Sequence, residues 1–118
     1  MYHYVRDLAK SNYPEIKGLD LKEFKEQLLF LKKNYTLVKI EDVINSYENN
    51  CHLPDNAALL TFDDGYKDHF INVFPILNDM KIQGCFYPPA HVIKNKSVLD
   101  VNKIHFILAS VKDKNIIV

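Results

Sequence analysis

Leu59-Leu60-Thr61-Phe62-Asp63-Asp64-Gly65 is the stretch that decides how this chain is read. Its first four residues suit a short buried strand, and two carboxylates and a glycine follow at once. Open α/β folds collect functional groups at the carboxyl ends of their strands. Neighbouring side chains on a regular strand point to opposite faces, so adjacent aspartates can serve one site only where the strand has ended and the chain turns. Gly65 is suited to supply that turn.

Two carboxylates held close together repel, so either one keeps a proton or a cation neutralises them. If a metal is bound, one carboxylate can be its ligand while the other takes a proton from metal-bound water. The pair therefore reads as a hard-cation or water-activating site. The plainer alternative is that Asp63 and Asp64 only cap the next helix, since acidic groups suit a helix N-terminus.

Thr61-Phe62-Asp63-Asp64-Gly65, followed by Tyr66, by Phe70-Ile71-Asn72-Val73-Phe74-Pro75-Ile76-Leu77 and by Gly84-Cys85-Phe86-Tyr87-Pro88-Pro89-Ala90, resembles the first conserved block of the NodB-like polysaccharide deacetylases. Tyr2-His3-Tyr4-Val5 resembles the Tyr-His stretch that precedes that block, so the likeness covers most of residues 1–90. The resemblance implies an α/β fold, part of a distorted barrel of mainly parallel strands and helices. It implies metal-dependent removal of acyl groups from N-acylated sugars, with a glycan or amino sugar as the binding partner. It also implies Asp63 as catalytic base and Asp64 as the aspartate ligand of a divalent metal, usually zinc. The family completes its metal site with a His-x-x-x-His motif and carries later Arg-Pro and Leu-His motifs, none of which occurs in these 118 residues. The expectation is a single domain over residues 1–118, the N-terminal portion of a deacetylase domain, truncated and with an incomplete ligand set.

Catalytic zinc sites generally use three protein ligands and an open position. The five histidines, His3, His52, His69, His91 and His105, include no pair four apart. A lone histidine is more often a surface or hydrogen-bonded residue than a ligand. His3 is nonetheless a candidate for lining the site, because a parallel N-terminal strand would deliver its carboxyl end to the rim that carries Asp63 and Asp64.

With 118 residues, 47% hydrophobic and 25% charged, the chain has the material for one core and not for two ordinary domains. Its formal net charge is zero, which gives no electrostatic case for nucleic acid or an anionic membrane as partner. No apolar run approaches the roughly 18 residues of a membrane span. The N-terminus lacks the basic segment and apolar core of a signal peptide, so a cytoplasmic location is the default. Cys51 and Cys85 are too widely spaced for a disulfide framework and read as free thiols, in a loop and a buried strand respectively.

Outward from the motif, Met1–Val5 alternates like a strand and residues 6–18 read as a loop. Asp20 and Glu23 fit a capping box, and Leu21, Phe24, Leu28, Leu31 and Tyr35 mark a helix to about Lys33. Tyr35–Val38 predicts the second strand, Glu41–Tyr47 a helix with Val43, Ile44 and Tyr47 inward, and Ala57–Phe62 the third strand. Phe70, Val73, Phe74, Leu77 and Met80 predict a helix that Pro75 should kink. Gln83–Tyr87 predicts the fourth strand. Val101, Ile104, Ile107, Leu108 and Val111 predict a helix over Asp100–Ser110, with His105 beside the apolar stripe, and Asn115–Val118 reads as a truncated element. Part of a barrel would leave open strand edges and uncovered apolar faces.

The leading functional reading is an amino-sugar deacetylase whose catalytic apparatus is divided by the end of the chain. A second is a degenerate, non-catalytic sugar-binding remnant that keeps the strand and has lost the metal. A third, phosphoryl transfer of the haloacid-dehalogenase type, fits poorly: it uses Asp-x-Asp, whose alternate residues share a face, whereas Asp63 and Asp64 are adjacent.

Overall fold

A computed structural model of the protein describes residues 1–112, built around the ring of Phe62. That ring is fully buried. It stacks between Tyr2, at 5.2 Å, and Phe86, at 4.8 Å, and meets Phe24 edge-on at 6.1 Å. Val5, Leu28, Leu60, Val73 and Leu77 complete the core with it.

The strands are short and every pairing is parallel. β1 (Val5–Arg6) pairs with β2 (Leu19–Asp20), β3 (Thr36–Leu37) with β4 (Ala57–Ala58), and β5 (Leu60–Asp63) with β6 (Gly84–Tyr87). Asp63 stands opposite Tyr87 in the last pair, and Tyr2 forms a parallel bridge to Phe62 on the other side of β5. α1 (Leu21–Asn34), α2 (Ile40–Asn49) and α3 (Phe74–Met80) connect the strands, as parallel pairing requires. The parallel α/β reading holds. The described residues form these separate pairs and close no barrel.

Two predicted strands are each divided. Ala57–Phe62 breaks at Leu59, so that its start pairs with β3 and its end with β6. Met1–Val5 breaks at His3, between the bridge at Tyr2 and β1. α1 buries Phe24 and Leu28 as their spacing requires, a gain of about 1.5–3 kcal/mol for each side chain. Asp20 caps it alone: its Oδ1 accepts from the Lys22 amide at 2.9 Å and its Oδ2 from the Leu8 amide at 3.4 Å. The reciprocal acidic cap lies instead on α2, where Asp42 Oδ2 accepts from the Lys39 amide at 2.8 Å.

The kink expected at Pro75 takes the form of a π-helical turn over His69–Val73 that runs directly into α3. Pro75 has no amide proton for the Ile71 carbonyl and its ring crowds that carbonyl. The turn widens, and the Phe74 amide reaches back to the His69 carbonyl.

Several apolar faces do not point where their periodicity suggests. Ile44 and Tyr47 of α2, expected inward, are exposed. In α5 (Asp100–Ser110) the predicted stripe is also turned outward, with Val101, Ile104, Ile107 and Leu108 exposed, while Asn102 is buried and His105 and Phe106 are half-buried. The core is already filled by side chains from β1, α1, β5, the π-helical turn and α3, so α5 docks through polar groups and Phe106 instead. A short α4 (Ala90–Asn95), not anticipated, precedes it. Phe70, Phe74 and Tyr87 are also exposed, as an incomplete layer would leave them. Both cysteines are free; Cys51 is exposed, and Cys85, expected buried, is half-buried. No helix among the described residues is long and apolar enough to cross a membrane. The element read into Asn115–Val118 lies outside the described residues.

Candidate functional site

Backbone pairing at the end of β5 sets the geometry. The Tyr2 amide donates to the Thr61 carbonyl at 2.8 Å, and the Asp63 amide donates to the Tyr2 carbonyl at 3.0 Å. His3, the next residue, therefore stands beside Asp63, with its Nε2 4.0 Å from Asp63 Oδ2. The break in the first strand falls here because the His3 carbonyl is taken by a side chain: it accepts from His69 Nε2 at 2.7 Å. Asn72 Nδ2 donates to the Val5 carbonyl at 3.0 Å, so the π-helical turn holds the N-terminal segment at successive points.

After Asp63 the chain enters the left-handed region twice, at Asp64 (φ 71°) and Gly65 (φ 63°). Aspartate tolerates this region better than most residues, whereas position 65 has no room for anything but glycine. A Cβ there would lie 2.7 Å from Pro88 Cβ. In this turn Asp64 Oδ2 accepts from the Tyr66 hydroxyl at 2.5 Å. The side-chain hydrogen bond that Asp64 makes is to the Tyr66 hydroxyl and not to a helix amide. The structure thus brings His3 to Asp63, while Asp64, the next residue, is held by Tyr66.

The Tyr66 phenol is part of a larger cluster. Its oxygen lies 2.7 Å from Oδ1 of the Asn102 side-chain amide, and its ring stacks on Tyr4 at 4.2 Å. The Tyr4 hydroxyl reaches the same amide at 3.0 Å and His105 Nδ1 at 3.3 Å. Burial, reinforced by the Asp64 carboxylate and the Tyr4 hydroxyl, pushes the ionisation of Tyr66 far above the ordinary phenol range. Burial also raises Tyr4. Both phenols therefore stay protonated at any physiological pH, and Tyr66 is a permanent donor to Asp64. The sequence marks Tyr66 only as the neighbour of the motif, and Asn102 only as a polar residue off the apolar stripe of α5.

Beside the turn lies a cleft of about 340 Å³ lined by Gly65, Tyr66, His69, Phe70, Phe74 and Phe86 among others. His69 Nδ1 is buried there without a hydrogen-bond partner among the described residues. Its Nε2, facing the His3 carbonyl, donates to it.

No group of three or more His, Cys, Asp or Glu residues among those described is arranged to hold a metal ion. Asp64, with one oxygen fixed by Tyr66, has the support that a ligating carboxylate usually has. The set that a catalytic zinc requires is not assembled from the described residues, so these residues alone do not fit that ion.

No family model matches the chain. It is 34% identical over 77 residues to the poly-beta-1,6-N-acetyl-D-glucosamine N-deacetylases of Escherichia coli K12 and O157:H7, a match that covers 64% of this chain. The chain spans 11% of the length of those relatives. Among solved structures it is similar to a de-N-acetylase from Aggregatibacter actinomycetemcomitans, with a TM-score of 0.62 and 28% identity over 74% of this chain and 35% of that one. The Streptococcus pyogenes deacetylase PplD, in complex with acetate, shares the fold with a TM-score of 0.62 at 20% identity, over 88% of this chain and 48% of its own. The chain is thus similar in sequence and fold to N-deacetylases, as its likeness to the NodB-like polysaccharide deacetylases leads one to expect.

Proposed function

We propose that this chain is the part of a glycan N-deacetylase that carries the proton-handling rim, and that the rest of the site comes from residues beyond these 118. The observation that carries this reading is the approach of His3 to Asp63 at the end of a parallel strand, with Asp64 next in the chain and bonded to Tyr66, in a chain whose relatives are N-deacetylases.

Hydrolysis of an N-acetyl group needs a base for the proton of the attacking water. Asp63 suits that role: its side chain is partly open to solvent and its near neighbour is an imidazole rather than a lysine or arginine that would hold it as a fixed ion pair. His3 lines the same position. Asp64, anchored by Tyr66, would be this chain's contribution to a divalent metal, with zinc the first candidate, and the other ligands would come from outside the described residues. A bound metal would polarise the amide carbonyl and acidify water. The substrate would be a polymer of N-acetylated amino sugars, as it is for the Escherichia coli relatives by name. The separate parallel pairs would form an arc of the barrel that the resemblance implies.

The test is acetate release from poly-N-acetylglucosamine by the protein as its gene encodes it, wild type against Asp63→Asn. Loss of turnover in Asp63→Asn is expected, and retained turnover overturns the base assignment. Glycan binding with no turnover by either protein would favour the non-catalytic remnant.

A further inference from the structure

We infer that Asn102 is a positioning residue for Asp64, acting through Tyr66. α5 turns its apolar stripe outward and its polar side inward, and Asn102 is buried at 6% exposure in direct contact with Tyr66 and Tyr4. A buried amide is costly unless its hydrogen bonds are made, so its place against the phenols needs a physical account.

Proton counting supplies one. A phenol has one proton to donate. Tyr66 gives its proton to the Asp64 carboxylate, the stronger, charged acceptor at 2.5 Å. With Asn102 Oδ1 as the atom 2.7 Å from the phenol oxygen, that contact would hold no proton, so proton counting turns the amide over and its NH2 donates to the phenol oxygen. The same NH2 group has a second proton for the Tyr4 oxygen at 3.0 Å, which leaves the Tyr4 proton for His105 Nδ1 at 3.3 Å. Every donor then has an acceptor, and the direction of each bond is fixed. Asn102 cannot accept from Tyr66 in this orientation, so the Tyr66 proton has only Asp64 to go to. One oxygen of Asp64 is thereby always occupied, and the carboxylate has a single orientation.

The role in catalysis rests on the proposed function, but the positioning does not, and it is read in the 118-residue chain without substrate or metal. The measurement is NMR of the Asp64 carboxyl carbon, the Asn102 side-chain amide and the Tyr66 ring. In the wild type, both Asn102 amide protons should show cross-relaxation to the Tyr66 and Tyr4 rings and slowed exchange. Asn102→Asp turns the donor into an acceptor that competes for the Tyr66 proton. The Asp64 carbon should move in the same direction as in Tyr66→Phe, and by at least half as much, while Asp63 stays in place. Asn102→Ser, should the aspartate variant fail to fold, should move Asp64 the same way by less. An Asp64 resonance unmoved in a folded Asn102 variant, while Tyr66→Phe moves it, overturns the inference. So does an Asn102 amide that exchanges as freely as an exposed one.

Discussion

Arg6 holds Asp68 twice through one carboxylate oxygen, with Nε at 2.7 Å and Nη2 at 2.6 Å from Oδ2. Both side chains are largely shielded, at 16% and 19% exposure. The guanidinium also lies over the Tyr4 ring, 4.9 Å from its centre. The pair joins β1 to the segment just before the π-helical turn, and so fixes the N-terminal residues that place His3. Truncating Arg6 to alanine would leave Asp68 shielded without its partner, and hydrogen bonds to charged groups are worth about 1.5–3 kcal/mol. Arg6→Ala should lose about 2 kcal/mol in urea unfolding, and Arg6→Lys should recover less than half, because an ammonium lacks the planar fork. Full recovery by lysine would show that charge alone matters there.

Gly65 meets two constraints at once, a left-handed backbone and the approach of Pro88. Left-handed backbone costs an ordinary residue about 1–2 kcal/mol, and overpacking adds about 1–3 kcal/mol. Gly65→Ala should therefore cost about 3 kcal/mol and displace Asp64 from Tyr66, read as a lower urea midpoint and a changed Tyr66 environment. Gly65→Asn, which tolerates the backbone but not the contact, should be nearly as damaging. A mild asparagine variant would assign the constraint to the backbone alone.

Tyr66 gives a prediction with a defined sign in pH. Its ionisation is raised in the folded chain, chiefly by burial, as is that of Tyr4, so the folded state holds these protons more tightly than the unfolded one. Their contribution is complete below the ordinary phenol value of about 10 and is lost as pH rises beyond it toward the folded values. Stability should fall between about pH 9.5 and 11 in the wild type. Tyr66→Phe should fall less steeply there, yet start about 2 kcal/mol lower at pH 7 through the lost bond to a charged acceptor. Equal slopes in the two proteins would mean that Tyr66 ionises as freely folded as unfolded.

What the sequence conveyed and what it hid divide along a physical line. The strand before Asp63, the turn at Gly65, the cap at Asp20 and the buried face of α1 follow from local chemistry, and all are seen. The break at His3, the π-helical form of the kink at Pro75 and the reversed face of α5 depend on which partner reaches a group first. Periodicity assumes that a core awaits every apolar stripe. Here the core is complete without Ile104 and Ile107, while Asn102 finds two phenols. The same reasoning could not pick out His69, because only the fold brings its Nε2 to the His3 carbonyl.

Two phenylalanines eight residues apart separate what this core needs from what it leaves uncovered. Phe62 is fully buried among aromatic rings from three other segments, whereas Phe70 is 76% exposed at the lip of the cleft. Truncating a buried phenylalanine costs about 3–5 kcal/mol, enough to unfold a domain of ordinary stability. Phe62→Ala should therefore lose its cooperative urea transition. Phe70→Ala should change stability by no more than about 0.5 kcal/mol, because its ring already faces water. It should also lower the self-association that an uncovered apolar patch promotes, measured by sedimentation across a concentration series. If Phe70→Ala destabilised the chain as much as Phe62→Ala, the lip of the cleft would be closed over in solution.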